Sequence, residues 1–106
     1  HTGLTELHVV TSMHERKSMM AALSDGFIAL PGGFGTLEEL IEILTWGQLQ
    51  FHDKPCGVLN TDGYYDALLE QLRHAVTDGF LDAHQVERII VEQEPRKLLQ
   101  RMASER

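Results

Sequence analysis

The sequence predicts an α/β fold in which helices cover a parallel β-sheet. Short apolar runs alternate along the chain with segments whose apolar residues recur every three or four positions, and that alternation is typical of strands joined by helical crossovers. The apolar runs are continuous rather than interrupted by polar residues, so we expect both faces of the sheet to be covered. The predicted strands are His8–Val10, Phe27–Leu30, Gly57–Leu59 and Ile89–Val91.

Four helices are predicted between and after these strands. Gly79 stands where a helix commonly ends, and Pro95 suits the first turn of the last helix. The residues with helical spacing are Met13, Arg16, Met20 and Leu23; Leu37, Leu40, Ile41 and Leu44; Tyr65, Leu68, Leu69, Leu72 and Val76; and Leu98, Leu99 and Met102.

The chain is expected to be part of a larger unit. Residues 1–106 are predicted to form a single α/β domain that begins with His1 rather than Met. Four strands make a small sheet, and one of its edges would need covering. We therefore expect the C-terminal part of a larger doubly wound domain.

Composition excludes several classes of protein. The formal net charge is −7 without a basic block, which argues against binding to a nucleic-acid polymer. No apolar run approaches the roughly 20 residues of a membrane-spanning helix, so no membrane partner is expected. Cys56 is the one cysteine, which excludes an internal disulfide framework and favours a cytoplasmic location.

A glycine-rich segment, Pro31–Thr36, follows the second predicted strand and precedes a helix. Glycines let a ligand approach the backbone, and the N–H groups of a helix start attract anions. The segment is neither a P-loop, since no lysine follows the glycines, nor a dinucleotide fingerprint, since Glu38 replaces the third glycine. Two interpretations remain: a phosphate site, or a plain strand-to-helix turn.

Glu39 has two interpretations as well. Thr36 and Glu39 form the T-x-x-E pattern of a capping box, in which Thr36 would cap the helix and Glu39 would reach back to its N–H group. Alternatively, Glu39 stabilises positive charge on a sugar ring whose phosphate occupies the turn. The neighbouring Glu38 is the spare acid, and we expect one of the two to face solvent.

Two basic residues upstream are candidates for an anion site. Arg16 shares a helical stripe with apolar residues, and an inward guanidinium needs an anionic partner, either a ligand or a protein carboxylate. Lys17 lies about 100° further around the same helix. It is either a second phosphate donor or a solvated side chain.

Two motifs resemble a known family. Arg16–Met20 matches R-K-x-x-M, and Pro31–Glu39 matches P-G-G-x-G-T-x-x-E without departure. In this order and interval they resemble the LOG ("lonely guy") family of cytokinin riboside 5′-monophosphate phosphoribohydrolases, whose members are often labelled lysine decarboxylase-like. The resemblance continues through Ile43–Trp46, His52–Pro55, Leu59–Asn60 and Asp62–Tyr65 to the end of the chain.

The resemblance implies a Rossmann-like fold and a hydrolase that cleaves cytokinin riboside monophosphates or AMP to free base and ribose 5-phosphate. It implies Arg16 and Glu39 as the catalytic pair, no metal or organic cofactor, and a homodimer or larger homo-oligomer whose partner subunit contributes to the site. The substrate-binding residues that it implies are Arg16, Lys17, Gly32, Gly33, Phe34, Gly35, Thr36, Leu37, Glu38, Glu39 and Thr45.

Other outcomes stay open. The N-terminal half of the family is absent from these 106 residues, so the chain is alternatively a nucleotide-binding module without catalysis, or a fragment that needs that half. A decarboxylase would need a Schiff-base lysine, and none of the three lysines has such a context. Tyr64 and Tyr65 are assigned to core or interface rather than to base stacking, and the histidines, His8 among them, show no metal-binding spacing.

Overall fold

The fold is a four-stranded parallel sheet with helices on both faces. The computed structural model describes residues 6–10, 24–50 and 52–105. Strand order follows chain order, with Val9 beside Ile28 and Ile28 beside Gly57 in the register. The strands are β1 (Leu7–Val10), β2 (Gly26–Ala29), β3 (Cys56–Leu59) and β4 (Ile89–Glu92). The predicted parallel α/β sheet is confirmed.

The described helices are α1 (Phe34–Gln48), α2 (Asp66–Thr77), α3 (Ala83–Glu87) and α4 (Pro95–Ser104), with a short 3-10 turn at Thr61–Gly63. The predicted helix end at Gly79 and helix start at Pro95 are confirmed, since Gly79 follows α2 with a φ of +85° and Pro95 is the first residue of α4. α3 was not predicted; Asp82 caps it by accepting the His84 N–H group at 2.9 Å. In the described part of the chain, no helix is long and apolar enough to span a bilayer.

Both faces of the sheet are covered, as predicted. Successive strand residues point to opposite faces, so Phe27 and Ala29 join one core while Ile28 joins the other. α1 and α2 complete the first core through Leu40, Ile43, Tyr65 and Leu69, together with Val10, Cys56 and Val58 from the strands. α4 completes the second core with Leu98 and Met102, against Leu59 and Ile90.

α4 approaches the sheet closely at Gly57. A Cβ atom at this position would lie 2.6 Å from the Met102 Sδ and 2.8 Å from the Leu98 Cδ1. The missing side chain therefore makes room for two fully buried residues of α4. Leu99, which was named with them among the apolar residues of this helix, is 40% exposed.

Candidate functional site

The carboxyl end of β2 leads into a helix start that is rich in backbone donors. The chain passes through the glycine loop (residues 30–33) and enters α1 at Phe34, with Gly33 as the capping residue. The Leu37 N–H group donates to the Gly33 carbonyl at 3.0 Å. The N–H groups of residues 33–36 precede that first helical bond and have no carbonyl partner within the helix. Since glycine has no side chain to cap them, this end of α1 suits an anion.

The capping-box prediction for Thr36 and Glu39 is wrong. Gly33, not Thr36, caps α1, so the helix begins three residues earlier than T-x-x-E indicates. Thr36 lies inside the first turn and packs on Gly32, where an added Cβ atom would come within 2.8 Å of the Thr36 Cβ. Glu39 is consequently in the second turn, too far along the helix for a capping role.

Glu39 is instead a buried carboxylate held by a histidine of β1. Its side chain is 1% exposed, and its Oε2 lies 3.2 Å from the His8 Nε2. An ionised carboxylate only accepts hydrogen bonds, so His8 carries a proton on Nε2 when the two groups bond. The His8 ring also meets the Phe27 ring edge-on at 6.1 Å. Of the two adjacent acids, Glu38 is the exposed one, as the prediction of one solvent-facing acid requires.

Two tyrosines fasten the glycine loop from the side of β3. The Tyr65 hydroxyl donates to the Leu30 carbonyl at 2.5 Å, and the Tyr64 hydroxyl donates to the Gly32 carbonyl. Tyr65 is 1% exposed, which confirms its predicted place in the core, whereas Tyr64 is 52% exposed. Neither this contact with the loop nor the contact of His8 with Glu39 was predicted from the sequence. The available signal was that polar residues beside the carboxyl ends of parallel strands share one edge.

The other predicted site residues fall in different places. Arg16 and Lys17 lie outside the described residues. Phe34 is 94% exposed at the helix start, Gly35 follows it in the first turn, and Leu37 is partly buried against the first core. Thr45 is not brought to the loop within this chain: it lies about 13 Å farther along the helix axis than Thr36, and its hydroxyl donates to the Ile41 carbonyl at 2.8 Å.

The described residues form neither a metal centre nor a reactive thiol at this site. Among the described residues, no group of three or more His, Cys, Asp or Glu side chains could hold a metal ion. Burial raises the pKa of Cys56 to about 12, against a smaller lowering by the Arg88 charge. The Cys56 thiol is therefore protonated at neutral pH and inert as a nucleophile.

Comparison with known proteins decides the family. A family model described as "Possible lysine decarboxylase" matches residues 1–102. The chain is 55% identical over 91 residues to the cytokinin riboside 5′-monophosphate phosphoribohydrolase of Rhodococcoides fascians, covering 86% of this chain and 46% of that protein. The chain belongs to the LOG family.

The LOG relatives include plant proteins. Identity is 50% over 103 residues with cytokinin riboside 5′-monophosphate phosphoribohydrolase LOG4 of Arabidopsis thaliana, covering 95% of this chain and 48% of LOG4. It is 60% over 78 residues with the probable phosphoribohydrolase LOGL5 of Oryza sativa subsp. japonica, covering 74% of this chain and 32% of LOGL5. The chain thus spans less than half the length of these LOG proteins.

Proposed function

We propose that this chain carries the phosphate-binding and carboxylate half of a nucleoside 5′-monophosphate phosphoribohydrolase, acting on cytokinin riboside monophosphates or AMP. One observation carries the proposal: the buried Glu39 carboxylate lies in α1 directly behind a helix start whose backbone donors suit phosphate. The LOG relatives are cytokinin riboside 5′-monophosphate phosphoribohydrolases. The helix start would bind the phosphate of such a substrate, and the Glu39 carboxylate would act at its ribose.

The proposed phosphate contacts are the N–H groups of the glycine loop and of the first turn of α1, with the Thr36 hydroxyl beside them. The helix dipole adds a partial positive charge at the same point. Arg16 and Lys17 are proposed as further donors. Their segment follows Val10 at the end of β1, and because β1 and β2 are parallel, Val10 and the glycine loop are at the same edge of the sheet.

The proposed chemistry is cleavage of the bond between the ribose anomeric carbon and the base nitrogen. That carbon gains positive charge as the bond breaks, and a carboxylate is most effective against such charge where water is excluded. Glu39 stabilises this charge and orients the attacking water, while Arg16 orients the nucleotide or Glu39 itself. The water oxygen bonds to the anomeric carbon, and the base leaves with a proton, so base and ribose 5-phosphate are the products.

A lysine decarboxylase is not supported by the described lysines. Lys97 is exposed and pairs with Glu94 at 3.5 Å, and a Schiff-base lysine needs a dry, orienting pocket. Lys54 precedes β3, so it lies at the amino-terminal edge of the sheet, opposite the glycine loop. Lys54 is therefore at the opposite edge of the sheet from the backbone donors of the glycine loop.

The test is a base-release assay on the full gene product. AMP and isopentenyladenosine 5′-monophosphate are compared with adenosine and isopentenyladenosine, and products are separated by chromatography. We expect free base and ribose 5-phosphate from the monophosphates only, because the glycine loop binds the phosphate. Light scattering on the same sample is expected to give at least twice the mass of one chain, since the family resemblance implies a homodimer whose partner subunit contributes to the site.

Tight nucleotide binding without release of base would contradict the proposal and indicate a nucleotide-binding module. Release of base from the nucleosides at the same rate would contradict the assignment of the glycine loop to phosphate. A full gene product that is active, beside an inactive 106-residue chain, would show that the remaining half is required for catalysis.

A further inference from the structure

The loop between β3 and α2 builds a rigid support beside the glycine loop. Asp62 and Gly63 both adopt the left-handed conformation, with φ of 53° and 72°. Asn60, only 6% exposed, accepts the Tyr65 N–H group on its Oδ1 at 2.6 Å and donates from Nδ2 to Asp66 at 2.8 Å. These contacts fix the direction in which Tyr64 and Tyr65 leave the backbone.

The two tyrosines hold carbonyls on either side of Pro31. Tyr65 binds the Leu30 carbonyl and Tyr64 binds the Gly32 carbonyl. Their rings meet edge-to-face with centroids 5.0 Å apart, so each ring limits the movement of the other. The proline ring fixes φ at the residue between the two carbonyls. The glycine loop is thus restrained on both sides of Pro31.

The two hydrogen bonds have different effects on the backbone N–H group that follows each bound carbonyl. In a planar trans peptide the carbonyl and the following N–H group point in opposite directions, and the described chain has no cis peptide. Holding the Gly32 carbonyl therefore turns the Gly33 N–H group away from Tyr64. The Leu30 carbonyl is followed by Pro31, which has no N–H group, so Tyr65 fixes the loop without aiming a donor.

We propose that Tyr64 is a positioning residue for phosphate: its hydroxyl aims the Gly33 N–H group at the anion that the start of α1 binds. A hydrogen bond accepted by a carbonyl also polarises its peptide and strengthens the donor on the other side. The ligand class is a phosphate monoester at the end of a ribose. This inference rests on the proposed function for the identity of that ligand.

The test compares Tyr64→Phe with Tyr65→Phe in the full gene product. Each change removes one hydroxyl and keeps the ring. Binding of ribose 5-phosphate and of inorganic phosphate is measured by calorimetry, and KM and kcat are measured with AMP. Tyr64→Phe is expected to weaken phosphate binding and raise KM by about 3- to 10-fold, the size of one hydrogen bond, with kcat changed less than about twofold.

The matched variant separates positioning from support of the fold. Tyr65→Phe removes a hydroxyl from a buried residue, so it is expected to lower the melting temperature more than Tyr64→Phe does and to weaken phosphate binding less. Equal loss of phosphate affinity in both variants, or wild-type affinity in Tyr64→Phe, would overturn the proposal. A melting temperature that falls while affinity is unchanged would mean that Tyr64 only supports the fold.

The outcome is distinguishable from failure of the proposed function. If the wild-type protein releases base and Tyr64→Phe binds phosphate normally, the positioning role alone is wrong. If no base is released but phosphate binding depends on Tyr64, the hydrolase is wrong and the positioning role holds.

Discussion

At the scale of single residues, a buried carboxylate of α1 contacts a histidine of β1. Glu39 is 1% exposed in α1, and His8 in β1 is 11% exposed. A buried carboxylate is costly unless other groups supply hydrogen bonds. His8 is one of the groups that stabilise it, and the contact joins α1 to the edge strand of the sheet.

Replacing His8 with alanine is expected to destabilise the fold. The Glu39 carboxylate would lose the Nε2–H donor, and we expect the free energy of unfolding in urea to fall by about 1–3 kcal/mol. In the His8→Ala/Glu39→Gln double variant, the losses are expected to be non-additive by about 1 kcal/mol, because the residues are in contact.

His74→Ala is the control for this measurement. His74 also lies 3.2 Å from a carboxylate, that of Asp78, but its side chain is 66% exposed. Its replacement is expected to change the free energy of unfolding by less than about 0.5 kcal/mol. Equal losses of unfolding free energy in the two histidine variants would show that the contact between His8 and Glu39 stabilises the fold no more than an exposed contact does.

The residue scale is also where prediction from sequence was weakest. That Glu39 and not Glu38 points inward follows from helical spacing, since Glu39 shares a face of α1 with the buried Ile43 four positions later. T-x-x-E, by contrast, misplaced the start of α1 by three residues. The contact of His8 with Glu39 spans 31 positions and that of Tyr64 with Gly32 spans 32. Pairings of that separation depend on strand order and register, which one sequence without relatives does not display.

At the scale of elements, the strands were predicted closely because their physics is local. Continuous apolar runs such as Phe27–Leu30 report burial on both faces, and the turn signals at Gly79 and Pro95 report the backbone geometry that they require. α3 was not predicted because five residues span little more than one helical turn, too few for a spacing of apolar residues to repeat. The side of the sheet on which each helix lies was not predicted, because it depends on how the crossovers connect the strands and not on the sequence of any one segment.

The close packing of α4 on the sheet at Gly57 gives a prediction at the scale of elements. Gly57→Ala places a methyl group against Met102 and Leu98, and overpacking of this kind is expected to reduce the free energy of unfolding by about 1–3 kcal/mol. Gly33→Ala is the control, since nothing lies within 4 Å of its added Cβ atom. Urea unfolding of both variants checks this; a Gly57→Ala chain as stable as Gly33→Ala would mean that α4 shifts without cost.

At the scale of the whole molecule, the buried Cys56 thiol and Tyr65 hydroxyl make the free energy of unfolding depend on pH in the alkaline range. Burial raises the pKa of Cys56 from 9.0 to about 12. Burial, and then the neighbouring Tyr64, raises the pKa of Tyr65 above its usual 10.0. The folded state therefore binds these protons more tightly than the unfolded chain does. The stability that they contribute is fully present below pH 9 and is lost as the pH rises from 9 towards 12.

Urea unfolding at pH 8 and at pH 10.5 checks this dependence. The free energy of unfolding is expected to be about 1–2 kcal/mol lower at pH 10.5 on account of Cys56, and Cys56→Ala is expected to show a smaller decrease. An unchanged free energy across this range, or the same decrease in Cys56→Ala, would show that the thiol is not the titrating group.

The catalytic role proposed for Glu39 is tested by base release from AMP and isopentenyladenosine 5′-monophosphate by Glu39→Gln, in the full gene product. Glu87→Gln is the control, because Glu87 is an exposed acid of α3 just before β4, at the opposite edge of the sheet from the glycine loop. Glu39→Gln is expected to lose at least about 100-fold in kcat and still to bind ribose 5-phosphate, while Glu87→Gln keeps the wild-type rate. Wild-type turnover by Glu39→Gln would contradict it.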